Sequence, residues 1–407
     1  MDGSFALNSV AAQDDFGFRG VHVSTVATQA LTTAYYNGPA IAHRYFNGCS
    51  DGGREAMVEA EVYPDDFDGI IAGDPALGDL IAGFNWNDQV LFKTPHSWLP
   101  PQKLTTLDAA VMANCDAADG QVDNLIQDPR KCTFDPASLL CPKGESEVEA
   151  FNDPSCLTRQ QVAAVRAIYQ GPVTNTGVQT YPGFTQSDPA PGTSGDGWNA
   201  WITGDFTPAL PKPADGEPWG QPPASFATAP AQWSFGDQFL KFFVFSDPDY
   251  DSFKFNINNP TNLKPFQKAV RLGGGDGVNP DLTPFLLTNH AKLIMYHGWS
   301  DPALTPLETV KYYQTMVSET FAGDQSTADG SARLFMVPGM HHCGGGPGPQ
   351  INFFQWIFEL DGWVAFGIAP DSIVATSATR TMPLCAYPET AHYVSGPIDS
   401  ASSWKCE

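Results

Sequence analysis

Positive charge and long apolar runs are both scarce in this sequence of 407 residues. Lys and Arg together number 21 against 45 Asp and Glu, so the chain has a formal net charge of −24. Such a surface repels phosphate backbones and anionic lipid headgroups, which argues against nucleic-acid binding and against docking on an anionic membrane. No run approaches the roughly 18 apolar residues that a membrane-spanning helix needs. The composition is therefore that of a globular protein with enough chain for a sizeable core.

Signals for export are also missing, although the cysteine content points to an oxidising compartment. The first four residues are polar and lack the basic and apolar regions of a secretory signal peptide. The eight cysteines are even in number and show none of the paired Cys-x-x-Cys spacing of a zinc site. We expect a secreted or periplasmic protein with disulfide bonds, whose targeting segment is absent from this sequence. Buried free thiols in a cytosolic enzyme are the alternative.

A strand, a glycine turn, a helix and a second strand follow one another near the start of the chain. Residues 42–46 are aromatic and bounded by turn residues, which predicts a strand. Residues 54–63 have helical propensity and are stopped by Pro64, and residues 67–72 predict a buried strand. This order is typical of a βαβ unit with parallel strands, so we predict an α/β fold. Ahead of this unit, residues 20–36 predict a buried helix.

The core-forming segments are separated by a long stretch of different composition. Buried strand patterns return only at residues 291–296 and 332–337. Residues 77–285 are instead rich in Pro, Gly, Asp, Asn and Trp, with no repeat. We therefore predict an α/β domain formed by residues 1–76 and 286–407, interrupted by an inserted lid domain at residues 77–285, which we call the lid.

A candidate nucleophile lies in the turn between the first predicted strand and the helix. Residues 48–52, Gly-Cys-Ser-Asp-Gly, match the pattern Gly-x-Ser-x-Gly and stand between a strand and a helix, as that pattern requires. A sharp turn there lifts the Ser50 hydroxyl clear of the sheet, and the N-terminus of the helix favours developing negative charge. The alternative is a tight turn whose serine only caps the helix.

Partners for a serine nucleophile follow further along the chain. Where the serine stands in such a strand-to-helix turn, the chain order is Ser, then Asp or Glu, then His. Asp301 follows the strand predicted at 291–296 and His342 follows the strand predicted at 332–337, so both lie at the edge where such sheets bind ligands. Each has an ordinary alternative, since Asp before Pro commonly starts a turn and a histidine is often a donor in a loop. Order and position together favour a triad with Ser50.

Two cysteines stand directly beside these candidates. Cys49 precedes Ser50, and Cys343 follows His342. If Ser50 and His342 form a hydrogen bond, the two cysteines also lie close, which predicts a disulfide between them. The same argument favours His342 over the neighbouring His341 as the base.

These motifs together resemble the tannase and feruloyl esterase family of α/β-hydrolases. The resemblance covers nearly the whole chain and rests on the segments DFGFRGVH, YFNGCSDGGREAMVEAEVYPDDFDGIIAGDPA, YHGWSDPALTP and GMHHCGGGPGP. It implies an α/β-hydrolase core and the hydrolysis of aromatic carboxylic esters. The family's Cys-Ser, Asp, His-Cys arrangement would map onto Cys49-Ser50, Asp301 and His342-Cys343. The backbone N–H of Asp51 would then be one donor to the oxyanion.

An acidic turn in the lid is a second candidate site. Residues 115–125 place three carboxylates around a glycine, and hard oxygen ligands are those that Ca²⁺ prefers. The spacing is not that of an EF-hand, and an acidic turn taken alone is more often solvated surface. The resemblance implies a structural, non-catalytic calcium site in the lid. Its ligands would be the side chains of Asp116, Asp119 and Asp123 and the carbonyl oxygens of Gln121 and Leu125.

The remaining cysteine pairs are suggested by neighbourhood and by the resemblance. Sequence alone leaves many connectivities open for eight cysteines. The pairs that we expect are Cys115 with Cys132, Cys141 with Cys156, and Cys385 with Cys406.

The beginning of the chain departs from the family pattern. Only 49 residues precede Ser50, whereas each βα unit of a complete sheet takes roughly 30 residues or more. We therefore expect the N-terminal strands to be missing, together with the glycine loop that supplies half of the oxyanion hole in the family. Losing one such donor typically costs about 100- to 1000-fold in kcat. A sheet edge would also stay open, and either the sequence is that of a shortened gene product or a partner, such as a second copy of the chain, covers that edge.

We expect the substrate to be a small aromatic ester, feruloyl or other hydroxycinnamoyl, or galloyl, derived from plant cell walls or tannins. Lys241 and Lys254 are the only basic residues between 231 and 260, so a substrate with a free carboxylate is less favoured. The alternative function is a catalytically impaired, calcium-stabilised protein that binds aromatic ligands. Candidate substrate contacts, which would otherwise be lid core, are Trp233, Phe239, Phe242, Phe243 and Phe245.

Overall fold

A four-stranded parallel sheet forms the centre of the protein. The computed structural model describes residues 2–38, 40–94, 96–189, 196–204, 229–273, 277 and 279–407. The strands are β1 (Tyr45–Cys49), β2 (Gly69–Gly73), β3 (Lys292–Gly298) and β4 (Ala332–Val337). They pair side by side in chain order, and every pair is parallel. The carboxyl ends of all four strands therefore meet at one edge, and the predicted α/β fold is confirmed.

Helices connect and cover these strands. The α-helices of the described residues are α1 (Val10–Asp14), α2 (Gly20–Tyr35), α3 (Asp51–Val62), α4 (Leu80–Phe92), α5 (Pro101–Cys115), α6 (Glu147–Asn152), α7 (Arg159–Gln170), α8 (Ala231–Phe239), α9 (Pro260–Gly273), α10 (Pro306–Phe321), α11 (Gln325–Ala328) and α12 (Phe353–Phe366). Turns of π-helix occur at Asp15–Arg19, Asn199–Thr203, Leu240–Val244 and Thr283–Thr288. Helix α3 joins β1 to β2, as the βαβ pattern predicts.

Alternate side chains of the strands build two apolar layers, one on each face of the sheet. On one face, Ile70 and Leu293 pack in a core with residues of α3 and α10. On the other face, Ile71 and Ile294 pack with residues of α12. Because successive strand residues point to opposite faces and both faces are covered, the strands read as continuous apolar runs. This packing holds the carboxyl edge of the sheet in a fixed position.

The residues between β2 and β3 have a core of their own. Trp98, Leu107 of α5 and Val165 of α7 are buried in it. A further cluster joins Phe84 of α4 to Leu304, which follows β3, so this part rests on the sheet edge. Its position agrees with an inserted lid, and the boundaries of the lid stay a prediction.

The helix α2 differs from its prediction. It forms at Gly20–Tyr35, but none of its residues is buried. Val23 and Leu31 are more than half exposed, at 55% and 71%. Periodicity shows that a helix has an apolar face but does not show what covers it. Among the described residues these apolar side chains stay exposed, and no strand pairs with the outer edge of β1. The prediction of a buried helix is therefore wrong.

Two small antiparallel sheets follow the main sheet in the chain. One pairs β5 (Ser372–Thr376) with β6 (Thr381–Cys385), and the other pairs β7 (Ala391–Tyr393) with β8 (Trp404–Cys406). Sequence patterns did not predict these short strands. In the part of the chain that the structure describes, no helix is long and apolar enough to cross a bilayer.

Four disulfide bonds form, and each joins a pair that was expected from the sequence. Two of them lie in the lid, one joins β6 to β8, and one joins β1 to the loop after β4. They are Cys49–Cys343, Cys115–Cys132, Cys141–Cys156 and Cys385–Cys406. The expectation of a disulfide-bonded protein is confirmed.

Candidate active site

Ser50 lies in the tight turn that joins β1 to α3. Its backbone has φ 66° and ψ −121°, a conformation that residues with a side chain rarely adopt. Glycines around Ser50 allow the close approach that this turn needs. A Cβ on Gly48 would collide with the carbonyl of Gly52, and a Cβ on Gly53 would collide with the carbonyl of Gly73. The sequence therefore folds into a sharp turn that presents the Ser50 hydroxyl at the carboxyl edge of the sheet.

Two hydrogen bonds link Ser50 to His342 and His342 to Asp301. His342 Nε2 lies 2.7 Å from Ser50 Oγ, and His342 Nδ1 lies 2.8 Å from Asp301 Oδ2. Since an ionised carboxylate only accepts, the Nδ1–H donates to Asp301 and Nε2 is free to accept from the serine hydroxyl. Asp301 Oδ1 accepts the backbone N–H groups of Ala303 at 2.7 Å and Leu304 at 3.0 Å. The structure thus brings together the three residues that sequence order singled out.

The disulfide between Cys49 and Cys343 joins β1 to the loop after β4. Its Cα atoms are 6.0 Å apart. Because Cys49 precedes Ser50 and Cys343 follows His342, this bond fixes the two loops that carry the Ser50–His342 hydrogen bond.

The neighbouring His341 contacts the lid instead of the serine. Its Nε2 lies 3.1 Å from Asp188 Oδ2, and its Nδ1 lies 3.2 Å from Asp196 Oδ2. Burial lowers the pKa of His341, but the two carboxylates outweigh that effect and raise the pKa above its ordinary value. The preference for His342 as the partner of Ser50 agrees with this geometry.

Burial and ion pairing act against each other on Asp301 and His342. Burial alone would raise the pKa of Asp301, but His342 and then His297 outweigh it and hold this pKa well below its usual range. Burial would lower the pKa of His342, but the Asp301 carboxylate outweighs it, and the pKa of His342 is raised. Asp301 therefore stays ionised and orients the imidazole, while His342 is a stronger base than a free histidine.

A second buried histidine lies behind Asp301, and sequence reasoning missed it. His297 Nε2 lies 3.1 Å from Asp301 Oδ2, and its Nδ1 lies 2.8 Å from Thr309 Oγ1. Asp74, directly after β2, accepts the backbone N–H of Gly298 at 2.8 Å. Burial raises the pKa of Asp74 to about 6. The available signal was a histidine four residues before Asp301, on the same strand end.

A largely apolar cavity opens beside Ser50 and His342. Its volume is about 370 Å³, a size that suits a small organic ligand. Trp201 packs edge-on against the His342 ring with the centroids 4.9 Å apart, so one wall of the cavity touches the histidine. Other aromatic residues that line the cavity are Phe5, Phe16, Phe84, Phe235, Phe239 and Phe243.

Of the predicted substrate contacts, Phe239 and Phe243 line this cavity and the others lie outside it. The rings of Phe239 and Phe243 stack with the centroids 5.0 Å apart. Trp233 and Phe242 are buried in the lid, and Phe245 stacks on a lid tyrosine. Residues four apart share a helical face, and only the face of Phe239 and Phe243 is turned to the cavity. The prediction for Trp233, Phe242 and Phe245 is corrected accordingly.

The N-terminal segment forms a wall of the cavity that sequence reasoning did not identify. Phe5 and Phe16 pack against Phe243, with ring centroids 5.7 and 5.4 Å from it. Arg54 of α3 holds this segment by donating to the carbonyl oxygen of Phe16 at 3.1 Å. Arg54 also pairs with Asp51 at 2.7 Å, so its charge is compensated within the protein.

The acidic turn of the lid contains a carboxylate oxygen without a partner. Asp119 Oδ2 is buried and makes no hydrogen bond, and burial raises the pKa of Asp119 to about 6. Asp116 accepts the backbone N–H of Leu125 at 3.1 Å. Asp123 pairs with Arg380 at 2.9 Å. The turn therefore holds negative charge that its own hydrogen bonds do not fully compensate.

This donor set fits a calcium ion in kind, because it consists of oxygen atoms and leaves one carboxylate oxygen unpartnered. Gln121, the fourth predicted ligand residue, lies in the same turn and donates its N–H to Asp119 Oδ1 at 2.9 Å. Among the described residues, clusters of three or more His, Cys, Asp or Glu side chains with all ligand atoms within 4.8 Å of one another occur, but none of them includes the carboxylates of this turn. The turn would have to draw its carboxylates together around an ion.

The whole chain is similar to known esterases in sequence. The family described as tannase and feruloyl esterase matches residues 1–407. An uncharacterised esterase of Xanthomonas campestris pv. campestris is 32% identical, over 100% of this chain and 72% of the relative. The mono(2-hydroxyethyl) terephthalate hydrolase of Piscinibacter sakaiensis is also 32% identical, over 100% of this chain and 71% of the relative.

Solved structures show the same fold. The crystal structure of feruloyl esterase B from Aspergillus oryzae superposes with a TM-score of 0.81 at 22% identity and covers 100% of this chain and 77% of that protein. Tannin acyl hydrolase from Aspergillus niger gives a TM-score of 0.71 at 20% identity and covers 97% of this chain and 70% of that protein.

Proposed function

The chain belongs to the tannase and feruloyl esterase family and is a carboxylic ester hydrolase, and from this premise we propose that it cleaves hydroxycinnamoyl or galloyl esters through an acyl-enzyme on Ser50. The observation that carries the proposal is the hydrogen-bonded series Ser50, His342 and Asp301 at the mouth of an aromatic cavity. Nucleophile, base and orienting acid are in hydrogen-bond reach of one another, as acyl transfer requires.

The proposed reaction has two halves. Ser50 Oγ attacks the ester carbonyl carbon while His342 Nε2 takes the hydroxyl proton, and the carbonyl oxygen becomes an oxyanion near the backbone N–H of Asp51. The intermediate collapses, the C–O bond to the alcohol breaks, and His342 returns the proton to the leaving alcohol. Water then attacks the acyl-serine by the same proton route and releases the acid. Asp301 keeps the imidazole in the tautomer that both halves need.

The cavity supports an aromatic acyl group of small size. Phe239 and Phe243 line the cavity that Ser50 and His342 also line, and Trp201 limits the space next to His342. A pair of packed aromatic rings contributes about 0.5–1.5 kcal/mol of stabilisation in addition to that from the apolar area that the rings bury. A substrate ring in this cavity would place its carboxyl carbon toward Ser50.

Charge in the cavity wall supports a neutral ester over one with a free carboxylate. Lys241 is buried and pairs with Asp237 at 2.9 Å, and Lys254 pairs with Asp251 at 3.4 Å outside the cavity. Arg54 does line the cavity, but Asp51 compensates its charge. Preferential turnover of a terephthalate monoester over methyl ferulate would contradict this preference.

We further propose that the acidic turn of the lid binds a structural Ca²⁺. The side chains of Asp116, Asp119 and Asp123 would hold it, with the carbonyl oxygens of Gln121 and Leu125. The unpartnered oxygen of Asp119 is the observation that favours this proposal. When bound, the ion would neutralise the turn and stabilise the lid without taking part in the reaction.

The setting of the enzyme is proposed from two further observations. Four disulfide bonds favour a secreted or periplasmic location. Within the described part of the chain no strand pairs with the outer edge of β1, and apolar residues of α2 such as Val23 and Leu31 are exposed, which favours a second copy of the chain as cover. Analytical ultracentrifugation tests the second point, and a single monomeric species at micromolar concentration would contradict it.

A serine-directed phosphonate tests the proposed nucleophile. The reagent should label the wild-type protein at Ser50 and leave S50A unlabelled, because only a serine activated by a base attacks phosphorus readily. The alternative of a protein that binds aromatic ligands without catalysis predicts binding with no labelling. A folded wild-type protein that stays unlabelled would overturn the proposed mechanism.

A further inference from the structure

We propose that His297 is a positioning residue for Asp301, acting as a second imidazole that holds and partly neutralises the acid of the triad. The proposal rests on the proposed function, since it assumes the role of Asp301. His297 is fully buried, and its Nε2 lies 3.1 Å from Asp301 Oδ2. The same oxygen accepts from His342 Nδ1 at 2.8 Å. One carboxylate oxygen thus serves two histidines, of which only His342 reaches the nucleophile.

Each carboxylate oxygen of Asp301 has two hydrogen-bond donors. Its Oδ1 accepts two backbone N–H groups, from Ala303 and Leu304. Its Oδ2 accepts from His342 and His297. The backbone donors fix where the carboxylate lies, and the donor pair on Oδ2 fixes how its negative charge is divided.

The surroundings of His297 determine which ring nitrogen holds its proton. The Nε2 atom is 3.1 Å from Asp301 Oδ2, 3.3 Å from the Leu304 carbonyl oxygen and 3.6 Å from Asp74 Oδ1. All three are acceptors, so the proton is on Nε2. Thr309 Oγ1 lies 2.8 Å from Nδ1, and its hydroxyl can donate to that atom. Thr309, at the start of α10, therefore holds the ring in the orientation that donates to Asp301.

A second donor on Oδ2 has a definite consequence for the proposed base. The Asp301 carboxylate shares its negative charge between two donors, so it stabilises protonated His342 less than it would with His342 alone. His297 therefore keeps the pKa of His342 lower than Asp301 alone would set it. The other titratable groups that face this site are Asp74, after β2, and Tyr181, from the lid. Asp74 adds negative charge, while burial keeps the pKa of Tyr181 well above its ordinary value and the phenol neutral.

Two amide substitutions separate the donor role of His297 from its packing role. In H297Q the amide reaches the place of Nε2 and can still donate to Asp301. In H297N the shorter amide reaches the place of Nδ1, keeps the contact with Thr309, and leaves Asp301 Oδ2 with His342 alone. The ring is lost in both variants, so a packing defect affects both.

Kinetics per active site provide the first readout. Phosphonate labelling counts the folded, competent sites, so kcat is compared per labelled site. We expect H297N to lower kcat by about 10- to 100-fold, by analogy with the loss of a hydrogen-bond partner that orients a metal-binding histidine. We also expect its acid limb of kcat/KM to move to higher pH, with H297Q close to wild type in both respects. Equal kcat per site and equal acid limbs in the two variants would overturn the proposal.

The pKa of His342 measured by NMR provides a second readout that needs no turnover. This pKa should be higher in H297N than in H297Q, and the reverse or no difference would overturn the proposal. Hydrolysis by wild type beside S50A reports separately on the proposed function. If wild type fails to hydrolyse esters while the two variants still differ in the pKa of His342, the proposed function fails, and the effect of His297 on His342 through Asp301 is still shown.

Discussion

Asp74 and His297 meet behind the triad, with Asp74 Oδ1 3.6 Å from His297 Nε2. Asp74 is fully buried, and this burial raises its pKa to about 6. A carboxyl group that titrates at this point changes the charge around His342 near the pH at which an ordinary histidine titrates. We therefore expect Asp74 to add a pH dependence that is separate from that of the proposed triad.

Replacing Asp74 with Asn should shift the pH profile toward acid. Above about pH 6 Asp74 is ionised and helps to raise the pKa of His342. D74N removes that charge and keeps an oxygen that can accept from Gly298, so the acid limb of kcat/KM should move to lower pH. An unchanged or higher acid limb would show that Asp74 does not act on His342.

Burial of Asp74 also makes the free energy of unfolding depend on pH. Its folded-state pKa of about 6 lies above the ordinary value of about 4, so the folded state binds more protons than the unfolded state between these values. The stability of wild type relative to D74N is therefore greatest below about pH 4 and falls as the pH rises to about 6. Urea unfolding of both proteins from pH 4 to 7 measures this difference.

His341 should stabilise the contact between the loop after β4 and the lid at low pH. Its pKa is raised, with burial outweighed by Asp188 and then Asp196. The contribution is fully present below the unfolded pKa of about 6.5 and is lost as the pH rises through the folded value. Asp108, whose pKa burial and Asp188 raise to about 8, titrates in the same region, so H341Q is compared with wild type at each pH. A stability difference that grows with pH would contradict this sign.

Loss of the Cys49–Cys343 disulfide should damage activity more than loss of a remote one. In C49A/C343A the loops that carry Ser50 and His342 are no longer tied, and kcat should fall by about 10-fold or more, since small misplacements of reacting groups are costly. The matched control C141A/C156A removes a lid disulfide and should lose stability, about 2–4 kcal/mol, with little change in kcat per site. Equal kcat in the two variants would show that the active-site bond has no positioning role.

Calcium should raise the melting temperature of the wild type and not that of D119N. Removing Ca²⁺ with a chelator should lower the melting temperature while kcat per remaining folded site stays constant, because the proposed ion is structural. Asp119 is the substituted residue since its Oδ2 is the oxygen without a partner. An equal change of melting temperature with calcium in wild type and D119N would show that Asp119 does not bind the ion.

Much of the sheet and the triad could be predicted from the sequence because both depend on local patterns. The glycines of residues 48–52 dictate a sharp turn, and the apolar runs at 291–296 and 332–337 dictate buried strands. Asp301 and His342 lie in the loops after those strands. A parallel sheet places both loops at the edge where Ser50 lies, so their proximity follows from the strand order alone.

The features that sequence reasoning missed depend on packing between distant segments. His297 is one of several polar residues near Asp301, and only the contact with Asp301 Oδ2 shows its place. The segment of Phe5 and Phe16 reaches the cavity through Phe243, more than two hundred residues away along the chain. The helical face of Phe243 and the face of Trp233 look alike in sequence, so only the fold shows which face lines the cavity.

The most direct test of the account is hydrolysis of methyl ferulate and methyl gallate by the purified protein beside S50A, with calcium present. The proposed mechanism predicts release of the free aromatic acid by wild type and loss of that activity in S50A. The substrate that is turned over with the higher kcat/KM would identify the preferred acyl group. Equal rates for wild type and S50A, or no hydrolysis by a folded, disulfide-bonded and phosphonate-reactive wild type, would contradict the proposal that this site cleaves aromatic esters.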